Sequence, residues 1–183
     1  MMKRTFAALA VLLVAGSALA MGQPLAAKKF ELGTSVSLFS TDPDDGSSYG
    51  LLNIPVRFGW FVWKGLEIEP EIMLSIPLNP DIGEETSYVV IGNLTYNFRT
   101  SGKLVPFVGG GAGVGNGFPT SGFVMRKGQT VTTFDGLLGV KYILNDHFGV
   151  RAEYRFNRFA IDVTDGSLEG TYHLFFIGFS LFF

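Results

Sequence analysis

Ten ionisable side chains stand at alternate positions within short apolar runs. Glu67, Glu69 and Glu71 alternate with Leu66, Ile68, Pro70 and Ile72, and Arg151, Glu153 and Arg155 alternate with Val150, Ala152, Tyr154 and Phe156. Glu31, Arg57, Asp135 and Lys141 take the equivalent position in other runs. Paired carboxylates can do acid–base work, and a ring of one sign can select ions. Here both signs share one face, and the opposite face is apolar. A charge withdrawn from water is costly unless it is paired and hydrogen-bonded, so the mixture reads as an enclosed ion-pair network. Other chemistry is sparse. There are two histidines, His147 and His173, and no cysteine, which removes disulfides and thiolate metal sites.

Two motifs invite sharper readings. Asp42-Pro43-Asp44-Asp45-Gly46 begins like a calcium loop, but its glycine arrives one position early and no bidentate glutamate follows at the required distance. Proline, aspartate and glycine are ordinary turn residues. Together with Asp81, Glu84 and Glu85 they could hold divalent cations weakly. The run Gly109-Gly110-Gly111-Ala112-Gly113-Val114-Gly115 lies within an extended segment and opens no helix, so it reads as small side chains in a tightly packed wall. No nucleotide motif or zinc spacing is present, and no cofactor or metal is expected. A net charge of −2 gives no reason to expect nucleic acid as a partner.

What positions the charged residues follows from composition. Apolar residues make up 47% of the chain and mean hydropathy is +0.31, high for a soluble domain. Yet the one helix-like apolar run is N-terminal. Lys3 and Arg4 precede the apolar stretch Phe6 to Ala15, and Ala18-Leu19-Ala20 supplies a small-x-small cleavage site at Ala18 and Ala20. That is the three-part layout of a secretory signal peptide over residues 1–20. No cysteine follows, so a lipoprotein anchor is not expected. A short segment, 21–28, would then lead into one domain, 29–183. Without Lys3 and Arg4 the 14 basic residues fall to 12 against 16 acidic ones, a charge of −4.

No later run reaches the roughly 18 apolar residues a membrane helix requires. In hydrocarbon every backbone N–H and C=O must be satisfied internally, which leaves helices or closed barrels. Eight alternating segments answer to the second: 29–39, 51–60, 66–78, 87–98, 103–115, 130–142, 148–157 and 170–183. The third is the clearest, since a helix would smear its three carboxylates around the circumference. Long polar connections (40–48, 79–86, 116–129, 158–169) alternate with short turns (61–65, 99–102, 143–147). The expected fold is therefore all-β, an eight-stranded antiparallel up-and-down transmembrane β-barrel. Its loops would be extracellular and both termini periplasmic. A soluble sandwich would carry its polar face outward. Trp60, Phe61, Trp63, Tyr96, Phe98, Tyr142, Tyr154 and Phe156 fall near strand ends and suit aromatic girdles at the lipid boundary. A ligand-stacking site is the alternative.

Two stretches resemble the outer-membrane β-barrel domain family, the small OmpA-, OmpX- and Opa-like barrels. They are Leu104 to Gly115, LVPFVGGGAGVG, and Gly136 to Phe156, GLLGVKYILNDHFGVRAEYRF. The ending TYHLFFIGFSLFF is similar to that family's terminal signal. The resemblance implies that Phe175, Ile177, Phe179, Leu181 and Phe183 are read by the barrel-assembly machinery. It also implies residence in a bacterial outer membrane, with membrane lipid and lipopolysaccharide as neighbours. The chain stops at the barrel, so peptidoglycan tethering by a periplasmic domain is not carried over. Lipid A-modifying enzymes exist on such barrels, but the deacylases carry a His-x-Ser arrangement, and here Phe175 stands two residues after His173. His173 suits an interfacial anchor or a phosphate contact, with Arg158 at a similar level. His147 falls in a short turn.

The expected role is therefore non-enzymatic: envelope integrity, or a scaffold presenting loops to a surface partner that the sequence does not identify. The alternatives are a narrow solute or ion path and, behind it, a lipid A-modifying enzyme. One outcome follows from the apolar exterior. The purified chain should need detergent to stay monodisperse and should give a β-type circular dichroism spectrum; a mainly helical spectrum would refute the fold.

Overall fold

The computed structural model describes residues 25, 28–41, 49–78, 86–98, 100–116, 130–163 and 166–183. The alternating runs form eight strands: β1 (Phe30–Thr41), β2 (Tyr49–Trp63), β3 (Leu66–Pro77), β4 (Ser87–Asn97), β5 (Leu104–Gly115), β6 (Val131–Asn145), β7 (Phe148–Val163) and β8 (Gly166–Phe182). Each pairs antiparallel with the next, and β8 returns to β1, so the sheet closes into a barrel. Among the described residues no helix is long and apolar enough to cross a membrane. Closure lets strands do so, because the first and last strands pair with each other instead of leaving two open edges.

The pleat gives this wall two faces. On β3, Glu67, Glu69, Glu71, Met73 and Ser75 are buried, while Ile68, Pro70, Ile72 and Leu74 point outward. Register carries the same parity around the barrel: Arg57 lies opposite Glu71, Glu69 opposite Asn93, and Lys141 opposite Arg151. The turn from β2 to β3 is reduced to Lys64 and Gly65. Gly65 has φ +94°, a left-handed conformation that favours glycine, and a Cβ there would fall 2.4 Å from the Asn97 carbonyl oxygen. Asn97 in turn donates to the Gly65 carbonyl from its backbone N–H at 2.7 Å and from Nδ2 at 3.2 Å.

Three layers fill the interior. At the end carrying the short turns and the C-terminus, Val105, Ile143 and Phe182 form an apolar cluster with Phe61 and Leu25 packed on it. At the opposite end Met73, Val89, Ile91, Val131, Phe159, Ile161, Leu174 and Phe176 form a second, with Tyr172 against it. The ionic side chains lie between. Inward glycines give them room: a Cβ on Gly59 would fall 1.8 Å from Glu67 Oε1, and one on Gly111 would fall 2.1 Å from Asn93 Oδ1.

Five strands run further than their alternation predicts, β1 among them, which reaches Thr41. β2 extends to Trp63 and β6 to Asn145, shrinking the expected turns 61–65 and 143–147 to 64–65 and 146–147. β7 continues to Val163 and β8 begins at Gly166, so the expected long connection 158–169 is mostly strand. The physical reason is an inversion of polarity. Beyond Phe156 the outward position passes to Arg158 and the inward ones to Phe159 and Ile161. A strand that leaves the hydrocarbon keeps its pleat but no longer needs apolar side chains outside. Strict alternation of long and short connections therefore fails at this last hairpin. Of the expected loops 40–48, 79–86 and 116–129, residues 42–48, 79–85 and 117–129 lie outside the described residues, as do residues 1–24 with Ala18 and Ala20.

Inward packing predicts a contrast between two glycines of β6. Gly139→Ala would place its Cβ 2.3 Å from the Ala152 carbonyl oxygen and 2.6 Å from Phe107 Cζ. It should lower the unfolding free energy by about 1–3 kcal/mol. Gly136→Ala meets nothing within 4 Å and should stay within about 0.5 kcal/mol of the native value. Urea titration in lipid vesicles measures both.

Candidate functional site: an ionic layer inside the barrel

The pleat aims six carboxylates and four cations at one level of the lumen. Glu31, Arg57, Glu67, Glu69, Glu71, Asp135, Lys141, Arg151, Glu153 and Arg155 are all buried. Lys141 Nζ reaches Glu31 Oε2 at 2.5 Å and Glu67 Oε2 at 2.8 Å. Arg151 holds Glu69 with both terminal nitrogens, at 3.0 and 3.1 Å, and donates to Glu153 from Nε at 2.9 Å and Nη2 at 2.6 Å. Arg155 holds Glu71 the same way, at 2.6 and 2.9 Å, and meets Glu153 Oε1 at 2.7 Å and Asp135 Oδ2 at 3.3 Å. Arg57 donates to Glu153 Oε2 at 3.1 Å and to Ser35 Oγ at 3.0 Å. Its Nε lies 3.3 Å from Glu71 Oε2, an ion pair without hydrogen-bonding geometry. Glu153 is thus shared by three guanidinium groups.

Neutral donors complete the shell. Ser180 donates to Glu31 at 2.5 Å, Thr95 to Glu69 at 3.1 Å, and Asn97 to Glu67 at 2.8 Å. Thr133 donates to Asp135 at 3.0 Å, and Asn157 donates to the same carboxylate. Aromatic rings tie the layer to its apolar neighbours. Lys141 Nζ stands 5.4 Å from the Phe61 ring centroid, Arg151 lies 4.2 Å from that of Phe107, and Arg155 lies 5.3 Å from that of Phe176. Such contacts strengthen when the cation is desolvated. Chemically this is a neutralising arrangement in which every cation is forked between carboxylates, not a nucleophile beside a base.

Apart from Phe61, the other predicted residues that the structure describes lie on the outer face or at the turns. Phe175, Ile177, Phe179, Leu181 and Phe183 form one exposed row ending the chain. Trp60, Trp63, Tyr96 and Tyr142 are exposed toward the turn end. Tyr154 stands mid-strand, its hydroxyl 2.5 Å from His173 Nδ1 and its ring against Phe175. Phe61 does not join a girdle, because the extended β2 turns it inward. His147 Nδ1 lies 3.1 Å from the Phe182 carbonyl oxygen, beside the C-terminal strand end. Arg158 lies two pairs above His173 and is bonded to Glu169 at 2.6 Å. Sequence reading missed the inward aromatics Phe107, Phe176 and Phe182. The available signal was their parity, shared with Gly109, Gly178 and Ser180.

A closed sheet, greasy outside and ionic within, is an integral barrel protein of the bacterial outer membrane. The chain belongs to the outer membrane protein beta-barrel domain family, which matches it over residues 6–183. Among solved structures, Neisserial surface protein A has a similar fold, with TM-score 0.63 and 15% identity over 84% of this chain and 96% of that one. So does the N-terminal β-barrel domain of Pseudomonas aeruginosa OprF, with TM-score 0.54 and 15% identity over 85% and 98%. A search of curated proteins finds no match.

Breaking one fork tests the layer. Glu69→Ala leaves Arg151 and Lys141 with fewer counter-charges in a dry interior, and should cost about 3–5 kcal/mol. Glu69→Leu combined with Arg151→Met removes both partners and should cost less than either single change. Equilibrium unfolding of Glu69→Ala, the two single changes and the double variant in vesicles measures the coupling.

Proposed function

We propose that the protein serves the outer membrane as a sealed, non-enzymatic structural barrel, exported by the N-terminal signal and carrying its longer loops outside and both termini in the periplasm. One observation carries this reading. The ionic layer is capped on both sides by apolar layers, Val105, Ile143 and Phe182 at one end and the cluster around Met73, Ile91 and Phe176 at the other. An eight-stranded barrel is only wide enough for side chains to fill it. A hydrated ion would have to pass two desolvating plugs and break forked ion pairs between them. The orientation is supported by the gathering of short turns and the C-terminus at one end.

In this role the exposed C-terminal row, Phe175 to Phe183, serves recognition by the assembly machinery, and lipid and lipopolysaccharide are the barrel's working environment. The loops are the surface on which a partner would be met.

Planar-bilayer recording tests the reading directly. The native protein should show no porin-sized steps, and liposomes containing it should not swell in small sugars. A strain lacking the protein should become more sensitive to detergent and to bulky antibiotics. Porin-sized conductance would overturn the sealed barrel, and an unchanged envelope in the deletion strain would overturn the structural role.

A further inference from the structure

The wall is not equally closed all the way round. The β1–β8 ladder runs from Glu31 opposite Phe182 to Val36 opposite Ile177 and stops there. Both strands continue: β1 stays paired to β2 as far as Thr41, and β8 stays paired to β7 up to Gly166. Toward the loop end, therefore, the facing edges of β1 and β8 have no ladder between them among the described residues. Side-chain exposure marks the same place independently. Leu38 is 73% exposed and Phe175 70%, against 58% for Phe134 or 52% for Leu94 on fully paired wall. A continued ladder would pair these two residues with each other, and Ile177 closes the last pair with Val36.

Directly above this apolar seam, the outward face of β7 and β8 turns polar. His173 follows Phe175 along the outward row, and Arg158 stands opposite Thr171. His173 is stacked on Tyr154 with ring centroids 5.8 Å apart, and its Nδ1 is engaged by the Tyr154 hydroxyl. With Tyr154 donating, the ring proton of His173 sits on Nε2. Apolar side chains below and polar donors above, on adjoining strands at the end of the apolar band, have the polarity of a single amphiphile.

We propose that the loop-end half of the β1–β8 seam docks one phosphorylated lipid of the outer leaflet. An acyl chain lies along the seam against Leu38, Phe175 and Ile177, and the phosphate is bound by Arg158, Thr171 and His173. Guanidinium matches phosphate with paired donors, and the chain covers the apolar surface that Leu38 and Phe175 leave exposed. Glu169 opposes the phosphate, since it already holds Arg158 at 2.6 Å. Placing this lipid in the outer leaflet rests on the orientation proposed above.

Native mass spectrometry of the full barrel released from detergent tests the site, with bis-phosphorylated lipid A, its dephosphorylated form and phosphatidylcholine as probes. One molecule of the bis-phosphorylated lipid should be retained. Retention should fall about tenfold in the Arg158→Ala/His173→Ala double variant and rise in Glu169→Gln, which frees Arg158 without touching the apolar seam. Equal retention of the dephosphorylated lipid, or no response to any of these substitutions, would overturn the proposal. So would a dimer mass in place of a lipid adduct, which would mean that a second copy fills the seam. Orientation plays no part in detergent, so a failure here leaves the sealed barrel standing, and conductance of the lumen would leave the lipid site standing.

Discussion

Hydrocarbon offers no hydrogen-bond partner to a backbone amide, and it tolerates a charged side chain poorly. A strand that alternates Ile with Glu can cross it only if one face is removed from lipid altogether. Closing the sheet achieves this, and at once creates a second difficulty: the charges are now confined in a narrow lumen. The barrel meets it by compensation. Arg151 and Arg155 each fork onto a carboxylate of β3 and then converge with Arg57 on Glu153. No cation in the layer relies on one partner, so the loss of any single group is felt by several others.

Volume enforces the same economy. Three arginines, a lysine and several phenylalanines cannot share an eight-stranded lumen with full-sized neighbours. The inward glycines Gly59, Gly111 and Gly139 are the spaces into which Glu67, Asn93 and Phe107 reach. Their strand propensity is poor, yet β5 is held by full pairing to β4 and β6. Tertiary pairing overrides local preference here, which is why the glycine-rich stretch is strand despite its composition.

How much of this was readable beforehand depends on what kind of pattern each feature leaves. The parity of Glu67, Glu69 and Glu71 is a property of neighbours in sequence, so strand identity and the buried face were legible. Which cation meets which carboxylate was not, because Lys141 and Glu67 are brought together only by closure of the sheet. The inward aromatics were obscured because Phe107 and Phe176 are apolar residues on a face otherwise recognised by its charge. The upper reaches of β7 and β8 were lost for a related reason. The expected rule, apolar outward, holds only inside the hydrocarbon, and Phe159 and Ile161 obey its inverse.

The ion pairs also specify something the hydrophobic pattern cannot. A slip of one residue between strands would turn every buried charge toward lipid, and the apolar exterior alone forbids it. A slip of two preserves parity and would leave the exterior intact. Only the interior can discriminate against that error. β3 offers three carboxylates in succession, matched across the lumen to Lys141, Arg151 and Arg155 in order. Moving β3 by two residues one way would bring the apolar Met73 to Arg155. Moving it the other way would bring the Lys64–Gly65 turn to Lys141. In either case a buried cation would lose its β3 carboxylate, a far larger penalty than a misplaced methyl group. The buried charges, a poor source of net stability in themselves, thus serve as the register lock of a sheet whose outer surface is too uniform to choose.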